Sequence, residues 1–336
     1  MRFIFLFFSL MVSLGPILRA QRADISDTLS SPVIVDVGGT FYSTPIKTCD
    51  NNVVIASHNK KMFLFNCEGE KINSFRTPGW IHATPTQLSD KSISIGCYDG
   101  HFYFFDKDGH FVKKIKPQGF IFTEPVEIGN YIAFGNNRGK VVFYDRHADE
   151  LSYTKLKGIV HGSPMVTSDS LLVIGSTNGK LAFINADREI VRVFKTDGWI
   201  MHSKPLETFD RSVIVGSYDK HLYALDNSGE LKWKYKTEGA IHASPIQMGD
   251  STIIFGSFDG YIYLLDQYGD LKHKIQTGKK VVSSPARMND TVAVIGSYDK
   301  YLYFINTAGE ILGKYYAGGK IFSSPIVLSC GTVFCS

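Results

Sequence analysis

Three observations predict an all-β fold, a β-propeller of four-stranded blades. A proline recurs at Pro45, Pro85, Pro125, Pro164, Pro205, Pro245, Pro285 and Pro325, always 39 to 41 residues from the last. About ten residues after most of them comes a second repeated block: GCYDGHFYFFD (96–106), GSYDKHLYALD (216–226), GSFDGYIYLLD (256–266), GSYDKYLYFIN (296–306). The composition agrees, since 31 glycines, 13% aromatic and only 20% charged residues suit half-buried pleated surfaces cut by many turns. Four short strands per period of about 40 residues is the pattern of radial repetition. It overrides the two-domain prior that a chain of this length otherwise carries.

The chain opens with Met1 and Arg2, an apolar run over residues 3–14, and a small residue at Ala20. One positive charge, about twelve apolar residues and a small residue at the cut predict a secretory signal peptide over residues 1–20. The run is too short to cross about 30 Å of hydrocarbon as a helix. Residues 21–32 then read as a linker and 33–336 as the propeller. No later apolar stretch is long enough to span a membrane, so the expectation is an extracytoplasmic protein, periplasmic or secreted, with no transmembrane segment after cleavage.

Within each repeat the first strand starts at the proline, which donates no ladder bond and suits a strand's first residue. The second runs into the Gly-Ser pair, as in TIIFGS (252–257). Asp99-Gly100, Asn178-Gly179, Asp219-Lys220 or Asp259-Gly260 then makes a tight hairpin, because these residues tolerate a positive φ. The third strand is LYALD or its equivalent, and Asp/Asn-x-x-Gly turns into the fourth. On that fourth strand Lys232, Lys234 and Lys236 alternate with Trp233 and Tyr235, a solvated edge that resists pairing with other chains. Seven complete units follow one another from Pro45. VIVDV (33–37) aligns as a fourth strand lacking its first three, and SSPIVL with TVFCS supplies a first and a second. Together the two chain ends predict an eighth, thin blade that latches the ring and lacks an obvious third strand; the alternative is seven blades with trailing strands.

The five cysteines, Cys49, Cys67, Cys97, Cys330 and Cys335, include no CxxC and no adjacent pair. Cys330 and Cys335 are close enough to sit on one hairpin and bridge in an oxidising compartment. Burial as small hydrophobes is the other reading.

The motif G-x-[IV]-x-x-[ST]-P followed by G-S-x-D-x-x-[LIV]-Y-x-[LI]-[DN]-x-x-G resembles the repeat of pyrroloquinoline-quinone-like (PQQ-like) propellers over roughly residues 33–336. That resemblance implies a propeller fold and two kinds of function. One is quinone-dependent alcohol and sugar oxidation; the other is non-catalytic, as in the periplasmic propeller of outer-membrane protein assembly. The dehydrogenases repeat a docking tryptophan within a pattern like A-x-D-x-x-x-G-x-x-x-W. Here only Ala224, Asp226, Gly229 and Trp233 satisfy it, the matching positions elsewhere being Asn73, Lys113, His273 and Gly313. The enzymes' vicinal cysteines, calcium ligands and long insertions have no counterpart, so the resemblance points to the non-catalytic branch.

One repeated position could carry chemistry. The residues three before each proline are Tyr42, His82, Phe122, His161, His202, His242, Val282 and Phe322, so four of the ten histidines occupy one slot. His82, His161, His202 and His242 are therefore candidates for a histidine ring at the mouth of the channel that could hold a metal or an anionic ligand. Packing is the competing role, since Tyr42, Phe122 and Phe322 fill the same slot and a ring of blades could hold the imidazoles too far apart for zinc. The hairpin Asp99, Asp219, Asp259 and Asp299 and the hydroxyls Ser163, Ser244, Ser284 and Ser324 recur too regularly to be catalytic and are expected to serve the fold. Near-balanced charge, 36 Lys+Arg against 32 Asp+Glu, excludes a strongly basic face for nucleic acid. The expected function is a monomeric, non-enzymatic propeller without a cofactor that binds protein partners, in envelope or outer-membrane assembly. A ligand- or metal-binding propeller, and more distantly a PQQ-dependent oxidoreductase, are the alternatives.

Overall fold

The computed structural model describes residues 2–6, 33–36, 38, 40–329 and 331–335. Seven blades, each a four-stranded antiparallel sheet of consecutive strands, cover residues 46–76, 86–115, 126–155, 165–195, 206–236, 246–276 and 286–316 (blades 1 to 7). In blade 6 the strands are Ile246–Gln247, Ile253–Gly256, Tyr261–Leu265 and Leu271–Gln276, in that order across the sheet. First strands of neighbouring blades meet around the axis, which leaves fourth strands at the rim.

Hydropathy sets these layers. Second and third strands are sandwiched between neighbouring sheets and read as continuous apolar runs. Ile254, Ile262 and Leu264 of blade 6 pack on Ala293, Ile295, Tyr303 and Ile305 of blade 7. Fourth strands have one wet face, so Lys232, Lys234 and Lys236 are exposed while Trp233 and Tyr235 are half-buried, as the alternation predicts. Lys232 Nζ donates to Asp210 Oδ2 at 2.8 Å.

The hairpin aspartates are structural ties. Asp259 Oδ1 accepts from the backbone N–H of Tyr261 at 3.1 Å. Its Oδ2 accepts from the Tyr263 hydroxyl at 2.7 Å and from the Glu238 N–H at 3.0 Å. One carboxylate thus fixes its own turn, a tyrosine of its own third strand and the chain arriving from the preceding blade. Asp219 and Asp299 repeat the arrangement. After the aspartate the left-handed backbone is taken by Gly100 (φ +79°) and Gly260 (φ +85°), but also by Lys220 (φ +73°) and Lys300 (φ +79°).

The glycine of each Gly-Ser pair serves close packing. A Cβ on Gly256 would lie 2.3 Å from Val281 Cγ1 and 3.1 Å from Val281 O, and Gly96, Gly175, Gly216 and Gly296 face an isoleucine in the same way. Gly256→Ala is expected to cost about 2 kcal/mol through overpacking, read as a lower urea midpoint with an unchanged slope.

Neighbouring blades are also clasped at the rim. Trp233 Nε1 donates to Gln267 O of the next blade at 3.1 Å, and its indole lies over Gly269. The equivalent slot is used by Asn73 to Asp108 O (3.0 Å) and Arg192 to Asn227 O (2.5 Å), while in blade 3 the bond comes from Thr154, two residues further along the strand, to Arg188 O (2.6 Å). The docking function therefore persists where the tryptophan is lost, with any donor long enough to reach the next turn's carbonyl.

A further four-stranded sheet comes from both ends of the chain, in the order Val33–Asp36, Arg2–Leu6, Val333–Cys335, Ile326–Val327. Ile326–Val327 meets the first strands of both blade 7 and blade 1. Phe334 and Leu328 pack with Phe41, Val53 and Phe65, while Val333 and Cys335 pack with Val294, Leu302 and Phe304. The eight-blade expectation thus resolves into seven blades from contiguous repeats and one composite sheet. The expected lack of a third strand is corrected: Arg2–Leu6, from the segment that also reads as a leader, pairs with Val33–Asp36 on one side and Val333–Cys335 on the other. The remainder of the leader and the linker lie outside the described residues. Cys330, one half of the proposed bridge, also lies outside them, and Cys335 is a buried free thiol whose pKa burial pushes up to about 12. Among the described residues no helix is long and apolar enough to cross a membrane.

Candidate functional site in the central channel

Antiparallel strands place the second-to-third hairpins and the fourth-to-first connections at one end of the ring. The connections run from rim to axis, so position along them becomes radius: Trp80 lies midway, His82 near the axis, and Thr84 on the channel wall. The slot three before each proline therefore converges on the axis. Its side chains pack together as a plug rather than standing around a mouth. Tyr42 stacks on His82 (5.2 Å between centroids) and meets Phe322 edge-on (4.6 Å). Phe122 stacks on His161 (4.5 Å), and His202 stacks on His242 (4.2 Å).

The ring is not too wide for its imidazoles to meet. His82 of blade 2's entry lies 5.6 Å from both His161 and His202, which enter blades 4 and 5, and His161 lies 4.2 Å from His202. One ring nitrogen from each of these three falls within 4.8 Å of the other two. His202 reaches this position with φ +67°, a left-handed backbone uncommon outside glycine, and the other three histidines of the slot do not share it. His242 is brought into the plug but is committed elsewhere, its Nδ1 lying 3.1 Å from Val282 O.

Burial governs the charge of these groups. Desolvation, with repulsion from His161, His58 and His242, lowers the His82 pKa to about 3. Desolvation lowers His161 and His242 to about 4 and holds His202 well below 6.5. All four are neutral at pH 7, each with a lone pair on one nitrogen. His82 Nε2 and His161 Nδ1 are buried with no hydrogen-bond partner.

Sequence reasoning missed His58. It sits in the blade 1 hairpin, where Ser57-His58-Asn59-Lys60 matches Ser217-Tyr218-Asp219-Lys220 of blade 5, so aligning the first repeat would have found it. Its Nε2 lies 3.1 Å from His82 Nδ1.

From the plug, a cavity of about 550 Å³ extends along the first strands past Thr84, Ser163, Ser244 and Ser284 to Glu207 and Ile246. The hydroxyls before the prolines are interblade ties. Ser284 Oγ accepts from the Ser244 N–H at 2.8 Å, Ser244 Oγ from Lys204 at 2.9 Å, and Ser324 Oγ from Ser284 at 2.9 Å. Two blades replace the hydroxyl with charge, and Lys204 Nζ meets Glu124 Oε1 at 2.9 Å across the cavity.

On the outer side of the plug the same connections build a second feature. Two residues before the plug slot, or three at blade 5, whose connection carries one extra residue, stand Trp80, Phe120, Ile159 and Trp199 at the entries to blades 2 to 5, exposed by 53, 45, 40 and 54%. Tyr98 bridges Trp80 and Phe120, with centroids at 6.2 and 5.7 Å. Past Ala240 the slot turns basic: Lys280 lies over Phe258 and Tyr298, both at 4.7 Å, and Lys320 over Tyr298 at 5.8 Å. This end of the ring is thus divided into an apolar arc and a cationic arc.

No curated protein matches the chain by sequence. The crystal structure of BamB from Moraxella catarrhalis is similar in fold, with a TM-score of 0.74 and 14% identity, covering 90% of this chain and 97% of that one. The family profile described as outer membrane protein assembly factor BamB matches residues 137–321, more than half of the sequence. With its repeat motif, its four-stranded blades and this match in agreement, the chain belongs to the PQQ-like propeller family of the BamB type.

Proposed function

We propose that the chain is a non-enzymatic, extracytoplasmic scaffold that binds protein partners in cell-envelope or outer-membrane assembly, with the composite sheet as the eighth blade that closes its ring. The observation that carries this reading is the arc of Trp80, Phe120, Ile159 and Trp199, four large apolar side chains exposed in one register on successive blades. Monomers seldom leave such a patch without a partner, and aromatic anchors dominate the energetics of protein interfaces. Family membership supports the same class of function. Short connections of constant length support a non-enzymatic role, since insertions that could wall in a substrate are missing from residues 46–316.

Extracytoplasmic placement rests on the family and on the apolar leader. Removal of a leader after Ala20 would take away Arg2–Leu6, the strand with which Val33–Asp36 pairs, so the intact mass of the exported chain reports which fate those residues meet. The scaffold reading is tested by photo-crosslinking from the arc in envelope fractions. A reproducible partner is expected, and Trp80→Ala with Trp199→Ala should reduce its capture at least tenfold, as loss of about 2 kcal/mol per hot spot implies. Undiminished capture by the double variant, with its melting unchanged, would move the interface elsewhere.

A further inference from the structure

We propose that His82, His161 and His202 form a binding site for a first-row divalent transition-metal ion such as Zn²⁺ or Cu²⁺, with a coordination position left open toward the channel. This goes beyond the scaffold reading and does not depend on it. The first support is convergence: three imidazoles from three separate interblade connections bring a nitrogen each to within 4.8 Å of the others. An ion held at about 2.1 Å in tetrahedral geometry needs its nitrogens about 3.4 Å apart, which small side-chain rotations achieve.

The second is the state of the donors. His82 Nε2 and His161 Nδ1 are buried and unpartnered, and leaving a buried polar atom without a partner is costly. An ion would satisfy both at once. A plug built only for packing has no need of these atoms, since Phe122 and Phe322 fill the same slot with none.

The third is the outer shell. His58 Nε2 lies 3.1 Å from His82 Nδ1, so it can accept a hydrogen bond from a His82 Nδ1–H, which fixes the tautomer that leaves His82 Nε2 free for the ion, as outer partners of metal-bound histidines do. His242 stacks on His202 at 4.2 Å and steadies its ring. An all-imidazole donor set selects zinc, copper, nickel or cobalt over calcium and magnesium, which demand oxygen. Three protein ligands leave a fourth position, and the cavity lined by Ser163, Ser244 and Lys204 is where an exchangeable water or small anion would sit.

The test uses the full chain, stripped with a chelator and titrated with ZnCl₂ by calorimetry. One ion per chain is expected, with a higher melting temperature when loaded, and CaCl₂ should give neither effect. His161→Phe, which copies the residue of a neighbouring blade, should weaken zinc at least 100-fold while the metal-free protein melts normally. His58→Phe should weaken it by about tenfold. His147→Gln, on an exposed turn, should change nothing. Should the plug variants fail to fold, the copper-loaded unmodified chain answers instead: its electron paramagnetic resonance spectrum should show three equivalent imidazole nitrogens. Sub-stoichiometric zinc, unchanged affinity in folded His161→Phe, or fewer than two nitrogens on copper would overturn the assignment.

Discussion

Bringing the metal-free protein from pH 7 to pH 4.5 should remove up to about 10 kcal/mol of folding stability, enough to unfold most domains of ordinary stability. The cause is the histidine plug. Burial lowers His82, His161 and His242 to about 3, 4 and 4, and holds His202 well below the ordinary histidine value. Above about pH 6.5 the folded and unfolded chains both keep these rings neutral, so stability is fully present there. Below it the unfolded chain takes up protons that the buried rings refuse, and stability falls by about 1.4 kcal/mol per pH unit for each histidine. The fall continues until the folded rings themselves titrate.

The groups packed round the plug do not offset this. Burial pushes the Tyr98 and Tyr218 hydroxyls further up, His58 is itself lowered by burial, Lys280 brings an ammonium group to the same end, and the Glu124 carboxylate is engaged by Lys204. Urea midpoints measured with chelator between pH 7.5 and 4.5 should therefore drop with a slope approaching four protons. His161→Phe with His242→Phe should halve that slope. A slope below one proton in the unmodified chain would mean the rings are hydrated in solution.

Replacing Asp259 by alanine is expected to cost about 3 kcal/mol. The change leaves the buried Tyr263 hydroxyl and two backbone N–H groups, of Tyr261 and Glu238, without the acceptor they share, and bonds to an ionised acceptor count for about 1.5–3 kcal/mol each. Water can reach the two N–H groups but not the hydroxyl, so the total falls short of three full bonds. Asp259→Asn keeps an oxygen in place and should cost about 1 kcal/mol. Chemical denaturation of both variants separates the contributions, and equal losses would show that shape rather than the acceptor matters at this turn.

The fold was legible because each repeated letter has one local job. Pro245 starts a strand, Gly256 lets two sheets approach, Asp259 ties a hairpin, and the same jobs recur at fixed spacing. Such requirements act within a few residues or between adjacent blades, where sequence distance tracks spatial distance. The site was legible only as a slot. That His82 meets His161 and His202 depends on the radius of the ring, which leaves no mark in the letters, and on the left-handed backbone at His202, marked only by one extra residue in its connection. The rim clasp shows the same limit: Asn73 and Arg192 share little with Trp233 except a donor and sufficient reach. Strand Arg2–Leu6 was hidden for a different reason, since its apolar run suits a leader and a strand equally.

The forward direction of these clasps has a mechanical meaning. Trp233 reaches into the next blade, Asn73 and Arg192 do likewise, and the Ser244 N–H is held by the hydroxyl of the blade that follows. Every blade grips its successor, so tension applied at one seam is carried round the circle rather than absorbed locally. A closed circle has one more seam than the same blades laid in a row. The least costly large excursion is therefore to part a single seam, leaving each blade with at least one neighbour, and not to melt one blade. The composite sheet is where such a gap would form most readily, because it alone draws its strands from opposite ends of the chain. Cys335, buried at its contact with blade 7, is then a built-in sensor: its rate of thiol labelling measures how often the circle breathes.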